Sequence, residues 1–334
     1  MRRRQAVDDA APAPPALGET AQTVPDPTSS APAMPDQTPP RETTQMTTDV
    51  LGSTTATGSA ARRTAEDGPR LRADGVTIGY SDHPVSTALS VEIPDDSFTV
   101  IVGPNACGKS TLLRALSRLL KPSDGQVVLD GEAITSYKAK EVARRLGLLP
   151  QTSIAPDGIT VADLVARGRY PHQKLLRQWS VEDEAAVVRA LEATQVTALS
   201  SRLVDELSGG QRQRVWVSMV LAQETPLLLL DEPTTFLDIA HQIELLELFG
   251  DLNRRGHTLV AVLHDLNHAC RYATHLIAMK DGAVVAQGRP EEIITAELVE
   301  EVFGLRCMII EDPVSKTPLV IPLGRPHTAP EPEA

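Results

Sequence analysis

Residues 103–110 read GPNACGKS, and within them Gly103, Gly108, Lys109 and Ser110 fit G-x-x-x-x-G-K-[ST]. The apolar run FTVIV precedes the loop and the helix-like TLLRAL follows it, which is the strand-to-helix setting this pattern requires. Such a loop turns backbone amides and a helix N-terminus toward phosphate oxygens. Glycine is needed where backbone approaches the ligand. Lys109 brings a full charge for the β and γ phosphates and Ser110 a hydroxyl for Mg²⁺, while the amides of Cys107 and Thr111 add donors. Pro104, Asn105 and Ala106 complete a loop built for a nucleoside triphosphate, against the plainer alternative of a glycine-rich turn.

Two further stretches can act on phosphate. LLLLDEPTTFLD reads as a buried strand that ends in Asp231 and Glu232. A strand breaking into solvent explains such a pair, but beside a phosphate loop Asp231 can hold Mg²⁺ through water and Glu232 can orient or deprotonate the attacking water. In DELSGGQRQRVWVSM, Ser208, Gly209 and Gly210 precede an amphipathic helix, where a serine is a good N-cap.

The elements that must position these residues follow from patterning. LRADGVTIGY and STALSVEIP read as strands, and VVLDGEAI turns at Asp130-Gly131, together an antiparallel flank. TVIVG, LLLLD and TLVAVLHD are apolar without alternation, as parallel strands covered on both faces are. An α/β core is predicted. No strand candidate appears across residues 152–222, where Ser180 and Asp183 form a capping-box pattern, so a helical insertion interrupts the core. HLIAMKDGAVVAQG predicts a hairpin through Asp281-Gly282, and EEIITAELVEEVFG returns to helix.

The chain has 334 residues, 41% hydrophobic, enough for one large domain or two modest ones. Residues 1–69 and 325–334 are Ala-, Pro- and Thr-rich or otherwise unpatterned, and both read as disordered tails; the first is a solvated extension, or a start placed ahead of Met34 or Met46. The formal net charge of −12 excludes a basic nucleic-acid footprint, so nucleic acid is not an expected partner. MRRRQAVDDA lacks the apolar stretch of a signal peptide, and no run approaches the ~18 apolar residues that span a bilayer, so a cytoplasmic location is expected. The three cysteines are too few and scattered for a disulfide framework or zinc cage, and read as reduced thiols.

Phosphate loop, LSGGQ and LLLLDEP, in this order and spacing, resemble the nucleotide-binding subunit of an ATP-binding cassette (ABC) transporter over residues 71–324. The resemblance implies an ABC nucleotide-binding domain, a P-loop NTPase core with an antiparallel β flank and an α-helical subdomain at about 152–222. It implies ATP and Mg²⁺, with Ser110, Gln151 and Asp231 at the metal. Ser208, Gly209, Gly210 and Gln211 would meet the ATP on the partner chain of a head-to-tail homodimer, a second phosphate site at a helix N-terminus. Gln151 matches the glutamine that touches Mg²⁺ and water at the hinge to the insertion, and His264 the histidine that bonds the γ-phosphate. Asp238 matches the aspartate that contacts the partner chain, and Tyr80 the aromatic that stacks on adenine. Ala106 stands where many members have a third glycine, which is tolerated if its φ stays negative.

With no span of its own, such a chain needs an integral membrane permease and, through it, a substrate-binding protein, which places it peripherally on the cytoplasmic face. ARGRYPHQ, DEPTTFLDIAHQIELLELF and AVLHDLNHACRYATHLIAMKDG resemble ATPases of ferric-siderophore importers. Cobalamin and haem importers share much of this text, and a soluble cassette ATPase acting on ribosomes or DNA is the alternative of another class. Cys107 is near a helix N-terminus, which lowers thiol pKa values, though packing is the preferred reading. His264 and His268 have helical metal-ligand spacing, but a strand end at His264 and the want of a third ligand argue against zinc. The basic residues of RYPHQKLLRQW read as a solvated or partner-facing surface.

Overall fold

The computed structural model describes residues 68–80, 83–152, 154–173 and 179–324. The tails expected over 1–69 and 325–334 lie outside these residues, Gly68 and Pro69 apart, as do residues 174–178 of the basic stretch.

β1 (Leu71–Tyr80) pairs antiparallel with β2 (His83–Ile93), and β3 (Phe98–Val102) is buried along its length. α1 (Lys109–Leu116) leads to β4 (Asp124–Leu129), which turns into the short β5 (Glu132–Ala133) through Asp130 and Gly131, with φ of 51° and 88°. Positive φ at both central residues gives the twist that a two-residue hairpin needs. α2 (Ala139–Val142) and β6 (Leu146–Leu149) follow. Then come α3 (Val161–Ala166), α4 (Val181–Ala193) and α5 (Gly209–Ala222), with 3₁₀ turns and a lone Thr160–Leu203 bridge between them. β7 (Leu227–Asp231), α6 (Ile239–Arg254), β8 (Thr258–Val262) and α7 (Leu266–Tyr272) return to alternating strand and helix.

The predicted second hairpin is β9 (His275–Lys280) and β10 (Ala283–Gly288), joined by Asp281 and Gly282 at φ of 47° and 80°. The stretch read as helix after it is two short helices, α8 (Pro290–Ile293) and α9 (Ala296–Phe303). Ile294 is extended and Thr295 caps the second by accepting from Leu298 N–H, so the chain restarts there. A further hairpin, β11 (Cys307–Glu311) with β12 (Pro318–Pro322), was not expected.

Among the described residues the larger sheet has the order β10-β9-β3-β8-β7-β6, parallel except for the edge strand β10. The flank is antiparallel, β2-β1-β4-β5. The unbroken apolar runs have a direct cause, since successive residues of a strand face opposite sides. Phe98, Val100, Leu228, Leu230, Leu259 and Ala261 join one core, beneath the helices and the insertion. Ile101, Leu227, Leu229, Val260 and Val262 join the other, shared with α1 and the flank. Either face exposed would have left polar residues at every second position.

The insertion holds together differently. Ser180 caps α4 and forms the predicted box with Asp183. Asp183 also accepts from Arg169 Nε at 2.8 Å, and Arg169, 5% exposed, donates Nη1 to Ala222 O and to Glu224 Oε2 at 2.8 and 2.9 Å. Burial pushes the Asp183 carboxyl up, but Arg169 and Ser180 outweigh it and hold it below the usual aspartate range.

Candidate functional site

The loop of residues 103–108 leaves the end of β3 and delivers Lys109 into the first turn of α1. Gly103 has φ 154°, and a Cβ there would meet Met279 O at 2.2 Å, so only glycine lets the loop pass β9. Gly108, at φ 105°, caps α1 with no side chain to cover the first-turn amides. The Asp281-Gly282 turn supports the loop from behind, its Gly282 N–H donating to Cys107 O at 3.0 Å.

Ala106 departs from expectation: its φ is +62°, not negative. The loop folds back tightly, Cys107 N–H reaching Pro104 O at 3.4 Å, and residues 105 and 106 form its exposed tip, where a methyl group meets no wall. The left-handed backbone costs about 1–2 kcal/mol in an L-residue. It also alternates the peptide planes, the arrangement that gathers amides into an anion-binding concavity.

Lys109 is 5% exposed, and its Nζ donates to Gly103 O at 2.9 Å and Pro104 O at 2.8 Å. Two of the three ammonium donors thus close the loop on itself. Ser110 Oγ donates to Asp231 Oδ1 at 2.8 Å, joining α1 to the end of β7. Asp231 is 2% exposed. Burial pushes its carboxyl up and the charge of Glu232 adds to this, against the hydrogen bond from Ser110. Glu232 follows at φ 53°, a strained conformation that aims its side chain at His264, whose Nε2 is 2.7 Å from Glu232 Oε1. His264 sits between β8 and α7, two residues past the strand's last member. Cys107 is packed, and burial pushes its thiol up more than the Lys109 charge pulls it down, as the packing reading requires.

Lys109, Ser110, Asp231, Glu232 and His264 therefore share one end of the parallel strands. Tyr80 ends β1, 46% exposed, with its hydroxyl accepting from Arg114 Nη1 at 2.8 Å, so it is not a core tyrosine. Gln151 lies exposed just past β6. Asp238 is exposed and caps α6, held low by the His241 backbone N–H and then by its side chain.

Ser208, Gly209, Gly210 and Gln211 stand apart. Ser208 and Gln211 close a capping box on each other at the start of α5, and no hydrogen bond among the described residues joins the four to residues 103–111. α5 is instead tied to the segment after Glu232, Gln213 Nε2 donating to Pro233 O at 2.9 Å. Sequence reasoning did not find Gln213 or Arg114, because their partners lie 20 and 34 positions away and nothing local marks them.

The chain is similar to several known proteins. The family model for ABC transporters matches residues 87–235. The ferric enterobactin transport ATP-binding protein of Escherichia coli (strain K12) is 64% identical over 263 residues, 78% of this chain and 97% of that protein. A metal-chelate type ABC transporter in an inward-facing conformation superposes with a TM-score of 0.65 at 27% identity, over 76% of this chain and 97% of that one. An ATP-binding cassette in a dimeric post-hydrolysis state, bound to ADP and phosphate, superposes with a TM-score of 0.59 at 26% identity, over 66% of this chain and 98% of that one.

Proposed function

The chain belongs to the ATP-binding subunits of the ABC transporter family and hydrolyses ATP, and on that premise we propose that it energises import of a ferric siderophore through a separate membrane permease. The observation that carries the cargo is the 64% identity to a ferric enterobactin transport protein, along 97% of that protein. No described helix is long and apolar enough to cross a membrane, which supports a peripheral subunit on the cytoplasmic face, working with a permease and, through it, a substrate-binding protein. Residues 71–324 form the cassette in this reading, and 152–222 its helical insertion.

ATP lies with its phosphates along residues 103–111, where Lys109 and the uncovered amides of α1 take the charge, and its adenine stacks on Tyr80. Ser110 and Asp231 suit Mg²⁺: both offer oxygen, they meet at 2.8 Å, and a cation offsets the cost of burying the Asp231 charge. With Gln151 they would hold it, and the ion would supply positive charge against the charge of the phosphates. Glu232 takes a proton from the attacking water as the bond between the γ-phosphorus and the β–γ bridging oxygen breaks. His264 orients Glu232 and bonds the γ-phosphate. Among the described residues Ser208, Gly209, Gly210 and Gln211 make no hydrogen bond to the loop of residues 103–111, and in this reading they serve the ATP of a second copy, with Asp238 at the contact; the dimeric cassette relative supports this. Closure on ATP and opening after hydrolysis then drive the permease.

The test is uptake of enterobactin loaded with radioactive iron into iron-starved native cells that carry the normal chain or Glu232→Gln. Uptake should be lost in the variant while haem and cobalamin uptake persist. Unchanged iron uptake, with redundant importers deleted, overturns the cargo.

A further inference from the structure

The hairpin of β11 and β12 is fastened to the helix that follows His264. Val320 pairs in register with Ile309 but turns its own N–H and C=O to the free edge of β12, where Asn267 takes both. Val320 N–H donates to Asn267 Oδ1 at 2.7 Å, and Asn267 Nδ2 donates to Val320 O at 3.3 Å. One side-chain amide thus stands in for the peptide group of a neighbouring strand, satisfying an edge that would otherwise need water. Beneath this pair Val320, 5% exposed, packs in one apolar cluster with Cys307, Ala269 and Cys270.

The fastening point matters because of where α7 begins. β8 ends at Val262 and α7 starts at Leu266, leaving Leu263, His264 and Asp265 between them. His264 is suspended between a strand fixed in the sheet and a helix of seven residues. So short a helix has little stability of its own and takes its position from what it packs against. Asp265 caps it through His268 N–H at 2.8 Å, and Asn267, in its first turn, ties that end to β12.

We propose that Asn267 is a positioning residue for ATP turnover: by gripping the edge of β12 it sets the N-terminal end of α7 and so holds His264 against Glu232. The C-terminal hairpin is then a buttress of the hydrolytic site. The proposal rests on the reading of His264 as a residue of ATP turnover.

The experiment compares the full chain with Asn267→Ala and with Asn267→Asp, which keeps the acceptor for Val320 N–H and loses the donor. Two readouts are taken: steady-state ATP hydrolysis, and the imidazole NMR signals of the nucleotide-free protein, with His264 identified through His264→Gln. In Asn267→Ala, kcat should fall about fivefold with KM for ATP within about twofold, the range expected for coupling through a packed element. The His264 signal should move while those of His172 and His257 stay, and Asn267→Asp should lie between Asn267→Ala and the normal chain. An unmoved His264 signal with unchanged kcat overturns the proposal, as does a loss of thermal stability alone. If Asn267→Ala fails to fold, the Asp variant decides by the same two readouts. If His264→Gln hydrolyses ATP at the normal rate, the reading of His264 falls, and the signal shift still decides whether Asn267 sets its position.

Discussion

The parallel core and the helical insertion use their buried polar groups in opposite ways. In the core, Lys109, Ser110, Asp231, Glu232 and His264 are brought to one sheet end from three separate segments; Lys109 closes its own loop, and the Ser110–Asp231 and Glu232–His264 contacts run between segments. In the insertion, Ser208 and Gln211 satisfy only each other, while the buried Arg169 spends its donors on Asp183, Ala222 and Glu224. The first arrangement is strained and poised, with Glu232 in a left-handed conformation; the second is a closed set of bonds that keeps helices rigid. Of the residues proposed to hold phosphate, one set is thus gathered at the sheet end by contacts across the chain, and the other caps a single helix.

The comparison is broken most severely at Glu232. Replacing it with Gln should lower kcat for ATP by about 10³ while leaving nucleotide affinity near normal, because only proton transfer is lost. Stopped-time phosphate release together with nucleotide binding separates the two, and normal turnover refutes the role. On the other side, Arg169→Ala leaves the Asp183 carboxylate buried without its partner and should cost about 3 kcal/mol in chemical denaturation.

That pair also carries a pH signature. The Asp183 carboxyl is depressed in the folded chain, so its contribution is fully present above the ordinary aspartate value of about 3.9 and disappears as pH falls through the lower folded value. The stability gap between the normal chain and Asp183→Asn should therefore be constant near neutrality and close below about pH 4. Lys109→Ala should weaken ATP binding about 100-fold and lower the melting temperature, because Gly103 O and Pro104 O lose their shared donor. The smallest effect is expected from Ser180→Ala, about 1 kcal/mol from one lost helix cap, with ATP hydrolysis per folded molecule unchanged.

Much of this was legible in the order of residues. Continuous apolar runs announced strands covered on both faces, Asp130-Gly131 and Asp281-Gly282 announced hairpins, and GPNACGKS, LSGGQ and LLLLDEP carry their chemistry in spacing a few residues long. Such signals survive in one dimension because loop amides, caps and two-residue turns are made by neighbours along the chain. Tertiary structure alone decided the rest. The positive φ of Ala106 answers to the tight closure of the loop, the grip of Gln213 on Pro233 spans 20 positions, and the hold of Asn267 on Val320 spans 53. The C-terminal hairpin earned no notice in the sequence because its value lies in the free edge it offers to α7, and a strand edge has a partner only once the chain has folded.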